Sequence, residues 1–425
     1  MRILWLSMNS GLYQYPGQEN GYNGIGWIAS LQRLIQKRND ITLGLAFLTN
    51  KHLKQQQQNC TLYYPIYTPA PTILQKIKEY YGGYKKIHKE QHLEKIKEII
   101  SDFAPDIIHI FGIENPLTSI LGETNIPIVI HLQGFLAPYD NAFFPVDFNK
   151  TSFMYPFTAR EWIMRNGSIY AKKKIHVKGE YEKILFKRVN NVMGRTEWDF
   201  QVSKLLAPQS TYYHVNEVLR EPFYMQANKW KFNRSKEFTI ISTVSETVYK
   251  GLDLILKTAY LLTTETNICF TWKVIGINKA SKLIHFFERV TGVKSLNCHI
   301  QYLGVLDAEK VCQNLLSANA YVHPSYIDNS PNSICEAQLL GLPIIATNVG
   351  GISSLIKHGE NGLLVPANAP YELTFLLKKL YNNEKFCNML SEASAKTALQ
   401  RHDKGTILKD LLKCYDDIIR NTNCH

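Results

Sequence analysis

Long apolar runs are missing from this chain of 425 residues, and no stretch approaches the ~18 consecutive apolar residues of a membrane-spanning helix. The opening apolar run breaks at Asn9–Gly11, too early for a secretory signal, so we expect a buried strand there. The eight cysteines form no C-x-x-C pair, which is typical of reduced thiols in a cytoplasmic protein. The sequence therefore predicts a cytoplasmic location, and any contact with a membrane would be peripheral.

The composition shows no extreme that would exclude an ordinary globular fold. Hydrophobic residues make up 45% and charged residues 20%, unlike disordered, collagenous or coiled-coil chains. The length allows two or three domains. The 48 Lys and Arg against 36 Asp and Glu give a net charge of +12, which favours an anionic partner. Net charge does not distinguish a nucleotide from a phospholipid or a nucleic acid.

Short apolar runs bounded by turn residues alternate with longer segments of helical period, which predicts βαβ units and parallel sheets. The alternation runs twice and is interrupted by the polar, basic stretch Pro222–Lys236. We therefore predict α/β domains at 1–221 and 237–400, a linker at 222–236 and a final helical segment at 401–425. The run Gln55–Gln58 is predicted to be an exposed loop. The predicted strands are Arg2–Ser7, Thr42–Phe47, Ile107–Phe111, Ile126–His131, Asn191–Gly194, Phe238–Val244, Thr271–Ile275, Ile300–Leu303, Ala320–His323, Pro343–Ala346 and Gly362–Val365.

The segment HPSYIDNSPNSICEAQLLGLPIIATNVGG, His323–Gly351, carries the strongest functional pattern. A strand ends at His323 and a Pro- and Asn-rich loop leads into a helix near Ser333, which would present backbone N–H groups to an anion at a sheet edge. Asp328 and Glu336 flank this junction, where carboxylates can accept hydrogen bonds from sugar hydroxyls. The alternative is that both residues have only local roles, because Asp328 favours a turn and Glu336 favours an early turn of the helix.

A second turn follows on the next βα connection. Gly350–Gly351 leads into a predicted helix at Ile352–Lys357, whose N-terminus would also favour an anion. Consecutive βα turns of a parallel sheet open on the same edge. The two turns together therefore predict one phosphate-binding edge.

These residues resemble the nucleotide-sugar-binding core of glycosyltransferase family 4 (group 1). The family pattern has two acidic residues with seven between them, and Asp328 and Glu336 take those positions. The resemblance implies a GT-B fold: two Rossmann-like domains facing across a cleft, with the C-terminal helix crossing back to the first domain. The other matching positions are Pro324, Ser325, Ala337, Gly341, Pro343, Ala346 and Thr347.

The resemblance also implies roles for the residues of this segment. Asp328 stands where the first acid lies near the donor sugar and diphosphate, although Asp replaces the usual Glu and shortens the side chain. Glu336 stands where the second acid holds ribose hydroxyls. The residues implied to lie beside the donor sugar and phosphates are Asn329, Ser330, Asn332, Ser333, Gly350 and Gly351.

The segment Ser242–Leu256 resembles the family's strand, loop and Lys-Gly-helix unit, in which a basic pair binds the donor diphosphate. Lys250 matches the lysine, but the arginine is missing and Thr243 lies in its region. Lys279 is a candidate replacement by sequence proximity only. As a residue of an ordinary loop, Lys250 would instead be a solvated charge.

Further matches are fainter. Gly276 and Leu303 fall at strand ends that would line the nucleotide base pocket, or are ordinary turn positions. Gly24 and Gly26 match a glycine-rich loop whose backbone approaches the donor phosphates or the acceptor, and His131 matches a cleft histidine that approaches the donor sugar. A histidine at a strand end is otherwise most often a hydrogen-bonded structural group.

The resemblance implies a retaining transferase that needs no cofactor and takes a UDP- or GDP-type sugar donor. The acceptor would be a saccharide or a lipid-linked saccharide, in cell-surface polysaccharide assembly. No two Asp residues stand two apart, so no D-x-D metal clamp exists and we expect metal-independent catalysis. Lys250 and the backbone N–H groups at Asn329–Ser333 and Gly350–Ile352 would stabilise the departing diphosphate.

Other interpretations remain open. A catalytically inactive sugar-nucleotide-binding relative would explain Asp328 and the missing arginine, and a basic nucleic-acid-binding protein would explain the charge, although we expect no nucleic acid partner. A nicotinamide dehydrogenase is disfavoured because Gly21, Gly24 and Gly26 lack the G-x-G-x-x-G spacing. The lysine-rich stretches Lys76–Lys97 and Ala171–Lys183 would either contact an anionic membrane or form solvated helical faces.

Overall fold

The computed structural model describes residues 1–15, 26–72, 74–75, 84–146, 148, 167–233 and 237–423. The chain forms two compact units. The first comprises Met1–Asp140, Arg160–Val218 and His402–His425, and the second comprises Asn141–Ala159 and Leu219–Arg401. Near its C-terminus the chain therefore returns to the first unit, as the resemblance implied.

The described strands form one sheet in each unit. They are β1 (Arg2–Ser7), β2 (Thr42–Thr49), β3 (Gln56–Gln58), β4 (Thr61–Tyr67), β5 (Ile107–Phe111), β6 (Ile128–His131), β7 (Asn191–Gly194), β8 (Thr211–His214), β9 (Phe238–Thr243), β10 (Phe270–Ile275), β11 (Ile300–Gly304), β12 (Ala320–His323), β13 (Ile344–Thr347) and β14 (Leu363–Val365).

The α-helices connect these strands. They are α1 (Gly26–Ile35), α2 (Tyr84–Phe103), α3 (Leu136–Asn141), α4 (Ser168–Phe186), α5 (Glu197–Leu206), α6 (Glu221–Met225), α7 (Leu252–Glu265), α8 (Lys282–Thr291), α9 (Ala308–Leu316), α10 (Asn332–Leu340), α11 (Pro370–Asn382), α12 (Glu384–Arg401) and α13 (Lys404–Asn423). None of the helices in these described ranges is both long and apolar enough to cross a lipid bilayer.

The sheet of the first unit has the strand order β3-β4-β2-β1-β5-β6-β7-β8. Its neighbouring strands are parallel except for the antiparallel pair β3 and β4. All five side chains of β5 are buried, because helices cover both faces of such a sheet and leave little need for polar positions. The chain changes direction across the sheet between β1 and β5, where open α/β sheets form a ligand crevice at the carboxyl ends of the strands.

The sheet of the second unit is parallel throughout, with the order β11-β10-β9-β12-β13-β14. Its strand order reverses between β9 and β12. The loops that follow these two strands therefore meet at the carboxyl edge of the sheet, which positions the candidate site described below.

The predicted α/β class with two Rossmann-like domains is confirmed, and all eleven predicted strands are present within two residues at each end. The prediction of a loop at Gln55–Gln58 was wrong, because Gln56–Gln58 pair with β4 as a short edge strand. An edge strand can carry polar side chains on both faces, so it lacks the apolar alternation by which strands are recognised. The predicted linker at 222–236 includes all but the first residue of α6, and it includes the buried Trp230.

Buried carboxylates in the first unit make its stability depend on pH. Burial raises the pKa of Glu182 to about 7 from 4.5, with Glu114 adding to the shift and the backbone N–H groups of Leu136 and Ala137 opposing it. A raised carboxyl pKa contributes stability that is complete below about pH 4.5 and is lost as the pH rises through about 7. We therefore expect the difference in unfolding free energy between the wild-type protein and Glu182→Gln to decrease by ~3 kcal/mol between about pH 4.5 and about pH 7. Urea unfolding of both proteins at several pH values measures this, and a constant difference would contradict it.

Candidate active site

The loops that follow β9 and β12 are in direct contact. The Tyr326 N–H donates to the Tyr249 carbonyl oxygen at 2.8 Å. Gly251 has a φ of 75°, and a Cβ at this position would collide with the Pro324 carbonyl oxygen. Glycine is therefore required where the two loops cross, and the close approach places Lys250 beside the loop after β12.

The Asp328 carboxylate is the centre of the contacts at this crossing. Lys250 Nζ lies 2.6 Å from Asp328 Oδ2, and His323 Nε2 lies 3.0 Å from the same oxygen. The hydroxyl of Ser325 donates to it more weakly at 3.4 Å. Burial favours the neutral acid, but Lys250 and His323 outweigh it and hold the pKa of Asp328 well below its ordinary value. Asp328 is therefore an anion that fixes the position of a cation.

The Asp328 carboxylate is poorly accessible, and both of its oxygens already accept hydrogen bonds. Only 7% of the residue is exposed, and its second oxygen, Oδ1, accepts the Asn329 N–H at 3.2 Å. The other oxygen, Oδ2, already accepts three hydrogen bonds, from Lys250, His323 and Ser325, and is therefore a poor nucleophile. The carboxylate is therefore suited to orienting Lys250 and shaping the loop rather than to attacking a sugar carbon.

The helix α10 begins in this loop without a side-chain cap. Pro331 occupies the N-cap position and makes no side-chain hydrogen bond to the first turn. Its uncapped end presents the positive end of the helix dipole to the crevice, and this end favours an anion. Two buried polar atoms close to the start of α10, His323 Nδ1 and Asn332 Oδ1, have no hydrogen-bond partner within the described residues. Buried polar atoms without partners are rare in folded proteins and are natural contacts for a polar ligand.

Glu336 is held by Arg220, a residue that the sequence patterns did not indicate. Arg220 Nε and Nη2 donate to the two carboxylate oxygens at 2.6 and 2.7 Å, a bidentate pair. Glu336 is 2% exposed, and burial raises its pKa against the opposing effect of Arg220. The guanidinium fixes the plane of the carboxylate while leaving each oxygen a further lone pair for a hydroxyl donor.

The turn at Gly350–Gly351 differs from the prediction. The predicted helix Ile352–Lys357 is only a 3₁₀ turn at Ile352–Ser354. The Gly351 N–H donates to the Asp328 carbonyl oxygen at 3.0 Å, and a Cβ at Gly350 would collide with that oxygen. The Ile352 N–H is bonded to the Val349 carbonyl oxygen, so this turn supports the Asp328 loop. Two of the N–H groups predicted to bind phosphate are therefore already in use.

Other predicted residues of the second unit lie at the same sheet edge. Gly276 has a φ of 101° and donates its N–H to the Gly304 carbonyl oxygen at 2.7 Å, which joins the ends of β10 and β11 beside Leu303. Asn329 and Ser330 are buried in the loop before α10, and Ser333 is half-buried in its first turn. Lys279 is exposed.

Two of the predicted residues of the first unit are described. His131 ends β6 and is fully buried, and its ring makes an edge-to-face contact with that of Trp27 at a centroid separation of 4.7 Å. Gly26 is the first residue of α1 and has a φ of 37°. Gly24 lies outside the described residues. The roles predicted for these residues stay predictions.

Residues 225–397 match the family model described as "Glycosyl transferases group 1". An uncharacterized glycosyltransferase of Methanocaldococcus jannaschii is 32% identical over 143 residues, which are 34% of this chain and 38% of that protein. The N,N'-diacetylbacillosaminyl-diphospho-undecaprenol alpha-1,3-N-acetylgalactosaminyltransferase of Campylobacter jejuni is 29% identical over 122 residues, 29% of this chain and 32% of the relative. The matches thus span less than two fifths of either relative.

Solved structures resemble this chain over almost its whole length, and at this low sequence identity the resemblance concerns the fold. The Anabaena HepE protein in complex with UDP-glucose superposes with a TM-score of 0.61 over 98% of this chain and 100% of that one, at 15% identity. Both sheets and their connecting helices are part of this likeness. The chain therefore has the GT-B fold, and its residues 225–397 are similar to the group 1 glycosyltransferases.

Proposed function

We propose that this protein is a retaining glycosyltransferase that moves a sugar from a nucleoside diphosphate sugar to a saccharide or lipid-linked saccharide. The observation that carries the proposal is the Lys250 ammonium, held by the buried Asp328 carboxylate in the loop that leads into the uncapped N-terminus of α10. A lysine fixed at a helix N-terminus is an arrangement suited to a diphosphate. That HepE binds UDP-glucose supports a UDP-type donor, and a GDP-type donor remains the alternative.

The donor would lie along the carboxyl edge of the second sheet. Its diphosphate would contact Lys250 and the first turn of α10, its ribose hydroxyls would donate to Glu336, and its base would lie near Gly276 and Leu303. Arg220 would favour the ionised form of the Glu336 carboxylate against the effect of burial and would orient it, because the guanidinium supplies charge and two fixed hydrogen bonds. This arrangement would bind the diphosphate, the ribose and the base of the donor.

Catalysis would depend on the Lys250 ammonium, which can interact with two anions, the Asp328 carboxylate and the donor diphosphate. In the protein alone the ammonium is paired with Asp328 at 2.6 Å. As the bond between the sugar C1 and the phosphate oxygen breaks, negative charge grows on the diphosphate and competes more strongly for the ammonium. Preorganised groups that stabilise the developing charge more than the ground-state charge accelerate the reaction. No metal or cofactor is needed for this step in the proposed mechanism.

Retention of configuration is the expected stereochemical outcome. Both oxygens of Asp328 are engaged, so this carboxylate is not suited to form a glycosyl-enzyme bond. We infer instead that the acceptor hydroxyl attacks C1 on the face that the diphosphate leaves. The C1–O bond to phosphate breaks, the C1–O bond to the acceptor forms, and the acceptor proton passes to a phosphate oxygen. An inverted product, identified by proton NMR of the new anomeric centre, would overturn this part of the proposal.

The acceptor and the cellular setting are proposed from the relatives. The Campylobacter jejuni relative is named for transfer to a diphospho-undecaprenol-linked sugar, which favours a lipid-linked saccharide and a role in cell-surface polysaccharide assembly. We propose a cytoplasmic protein with peripheral contact to the membrane face. Among the described lysines, Lys172 pairs with Asp140 and Lys183 with Glu180, each at 2.6 Å, which leaves less free charge for such a contact. The predicted basic residues Lys76 and Lys78, and the side chains of Lys85, Lys86 and Lys89, lie outside the described part of the chain.

The experiment that tests the function has two stages. Thermal-shift titration with UDP, GDP and their common sugars should raise the melting temperature for one nucleotide series, because a ligand that binds the folded state stabilises it. The effective donor is then offered with saccharide and lipid-linked acceptors. Binding without turnover would favour an inactive relative, for which the Asp at position 328 is the supporting observation. No stabilisation by either nucleotide series would contradict the proposal, and salt-dependent oligonucleotide binding would then favour a nucleic-acid-binding protein.

A further inference from the structure

Two donors of different chemistry converge on one oxygen of the Asp328 carboxylate. The Lys250 ammonium lies 2.6 Å from Oδ2, and His323 Nε2, which belongs to a ring that can gain or lose a proton, lies 3.0 Å from the same oxygen. The side chain of His323 is 2% exposed and that of Lys250 is 20% exposed. The histidine is therefore the inner partner of the carboxylate, and the lysine is the outer one.

The bond to Asp328 fixes which nitrogen of His323 carries the proton. A carboxylate oxygen can only accept, so Nε2 must donate. Burial lowers the pKa of His323 from its ordinary value of 6.5, and the charge of Lys250 adds to this effect, whereas Asp328 opposes it. The ring is therefore neutral at neutral pH, with a proton on Nε2 and a lone pair on Nδ1.

Few charges bear on this ring. Within the part of the chain that the structure describes, Asp328 and Lys250 are the charged groups that shift the pKa of His323. Tyr321, on the same strand, has its ring centroid 6.4 Å from that of His323 and stays neutral, because burial raises its pKa. Glu336, on the helix α10 that packs against β12, is already paired with its arginine partner. The charge of His323 therefore depends on one anion and one cation.

A second anion at Lys250 changes this balance. In the proposed function, on which this step rests, the donor diphosphate contacts the Lys250 ammonium. The diphosphate adds negative charge to the site and draws the ammonium from Asp328, and both changes favour a cationic imidazole. His323 Nδ1 is buried and has no hydrogen-bond partner among the described residues, so no donor occupies the lone pair that would take the proton. His323 is thus placed to supply the positive charge that Asp328 loses.

We propose that binding of the sugar nucleotide is coupled to the uptake of one proton, which passes from the solvent to His323 Nδ1 and makes the imidazolium the cationic partner of Asp328. Nε2 keeps its own proton and its bond to Oδ2, and Asp328 remains a carboxylate throughout. The proton returns to the solvent when the diphosphate leaves. His323 is a positioning residue in this scheme, because it holds the carboxylate and the loop before α10 in place while Lys250 stabilises the leaving group.

The exchange between lysine and histidine is tested without a nucleotide, by NMR of the full chain labelled with ¹⁵N in histidine. The His323 signals, assigned by their loss in His323→Gln, should show a proton on Nε2 alone in the wild type at about pH 7. In Lys250→Met both ring nitrogens should be protonated at that pH, because the charge that opposes protonation is gone. Lys310→Met, which removes an exposed lysine paired with Asp307, is the matched control and should keep the wild-type state. A neutral His323 in Lys250→Met, or a charged one in the wild type, would overturn the proposal.

The coupling to binding is tested by calorimetric titration with UDP-glucose, or with GDP-glucose if the GDP series stabilises the protein, in buffers of different ionisation enthalpy. The phosphates of these intact donors do not titrate near neutral pH, so a proton taken up is bound by the protein. At about pH 7.5 we expect uptake approaching one proton per donor in the wild type and none in His323→Gln, whose amide can donate to Asp328 but cannot gain a charge. His285→Gln, at an exposed position of α8, should retain the uptake.

The same coupling predicts how donor affinity depends on pH. Uptake of one proton lowers the wild-type affinity by up to about tenfold for each pH unit above neutrality, whereas the affinity of His323→Gln should be nearly constant. Donor binding by the wild type without proton uptake would overturn the coupling and leave the proposed function intact. If the wild type binds no sugar nucleotide, the coupling fails together with the proposed function, and the NMR comparison still decides whether His323 responds to the loss of the Lys250 charge.

Discussion

Replacing Lys250 with methionine is expected to lower kcat by about 10²- to 10³-fold, the usual loss when one preorganised charge-stabilising donor is removed. The ammonium lies 2.6 Å from Asp328 Oδ2 at the carboxyl edge of the second sheet, where the proposed mechanism places the leaving diphosphate. Donor binding should weaken less than kcat, because the charge on the diphosphate grows in the transition state. Steady-state kinetics with varied donor concentration separates the two effects.

Stability needs its own control, since Lys250→Met leaves a buried carboxylate without its cation. Breaking such a pair by removing one partner typically costs 3–5 kcal/mol, about the range that we expect here. The double variant with Asp328→Asn removes both charges and should recover much of that stability without recovering turnover. Lys310→Met removes an exposed lysine paired with Asp307 and should leave kcat unchanged. Wild-type turnover in Lys250→Met would eliminate the lysine as a partner of the diphosphate.

Replacing Glu336 with alanine is expected to raise the donor KM and Kd by about 10- to 150-fold, because a hydrogen bond to a charged group contributes ~1.5–3 kcal/mol. The carboxylate is buried and aligned by Arg220, so its loss is not compensated by water. Turnover at saturating donor should change less. Glu372→Ala, which removes an exposed carboxylate of α11, is the control for a general effect of charge.

The ribose contact has a sharper test than affinity alone. The wild-type protein should bind the ribonucleoside diphosphate more tightly than its deoxyribose analogues, and Glu336→Ala should lose that preference. Arg220→Lys should give an intermediate result, because lysine supplies the charge but not the bidentate geometry. If Glu336→Ala keeps the full preference for ribose, the carboxylate has only a structural role.

Much of the fold could be predicted because its strands are short, apolar and buried on both faces. Ile107–Phe111 and Ala320–His323 are bounded by turn residues and form the predicted strands without any shift. The strands that the sequence did not indicate have mixed or polar composition. Thr61–Tyr67 contains Pro65, which disfavours a sheet interior, and Thr211–His214 is an edge strand without apolar alternation.

The site could be predicted only where its parts are close in the sequence. Asp328 and Glu336 lie on one loop and one helix, so their motif is visible in a single segment. Arg220 lies 116 residues before Glu336, and no local pattern connects the two. His323 ends a predicted strand, but its bond to Asp328 depends on how the loop folds back. Likewise the N–H groups at Gly351 and Ile352 looked available because sequence does not show which carbonyl oxygens they meet.

The most direct test of the account is a crystal structure of the full protein with UDP or GDP, whichever stabilises it. We expect a phosphate oxygen within hydrogen-bond distance of Lys250 Nζ and a ribose hydroxyl within hydrogen-bond distance of the Glu336 carboxylate. A nucleotide bound elsewhere, or bound at this edge with its phosphates away from Lys250, would contradict it.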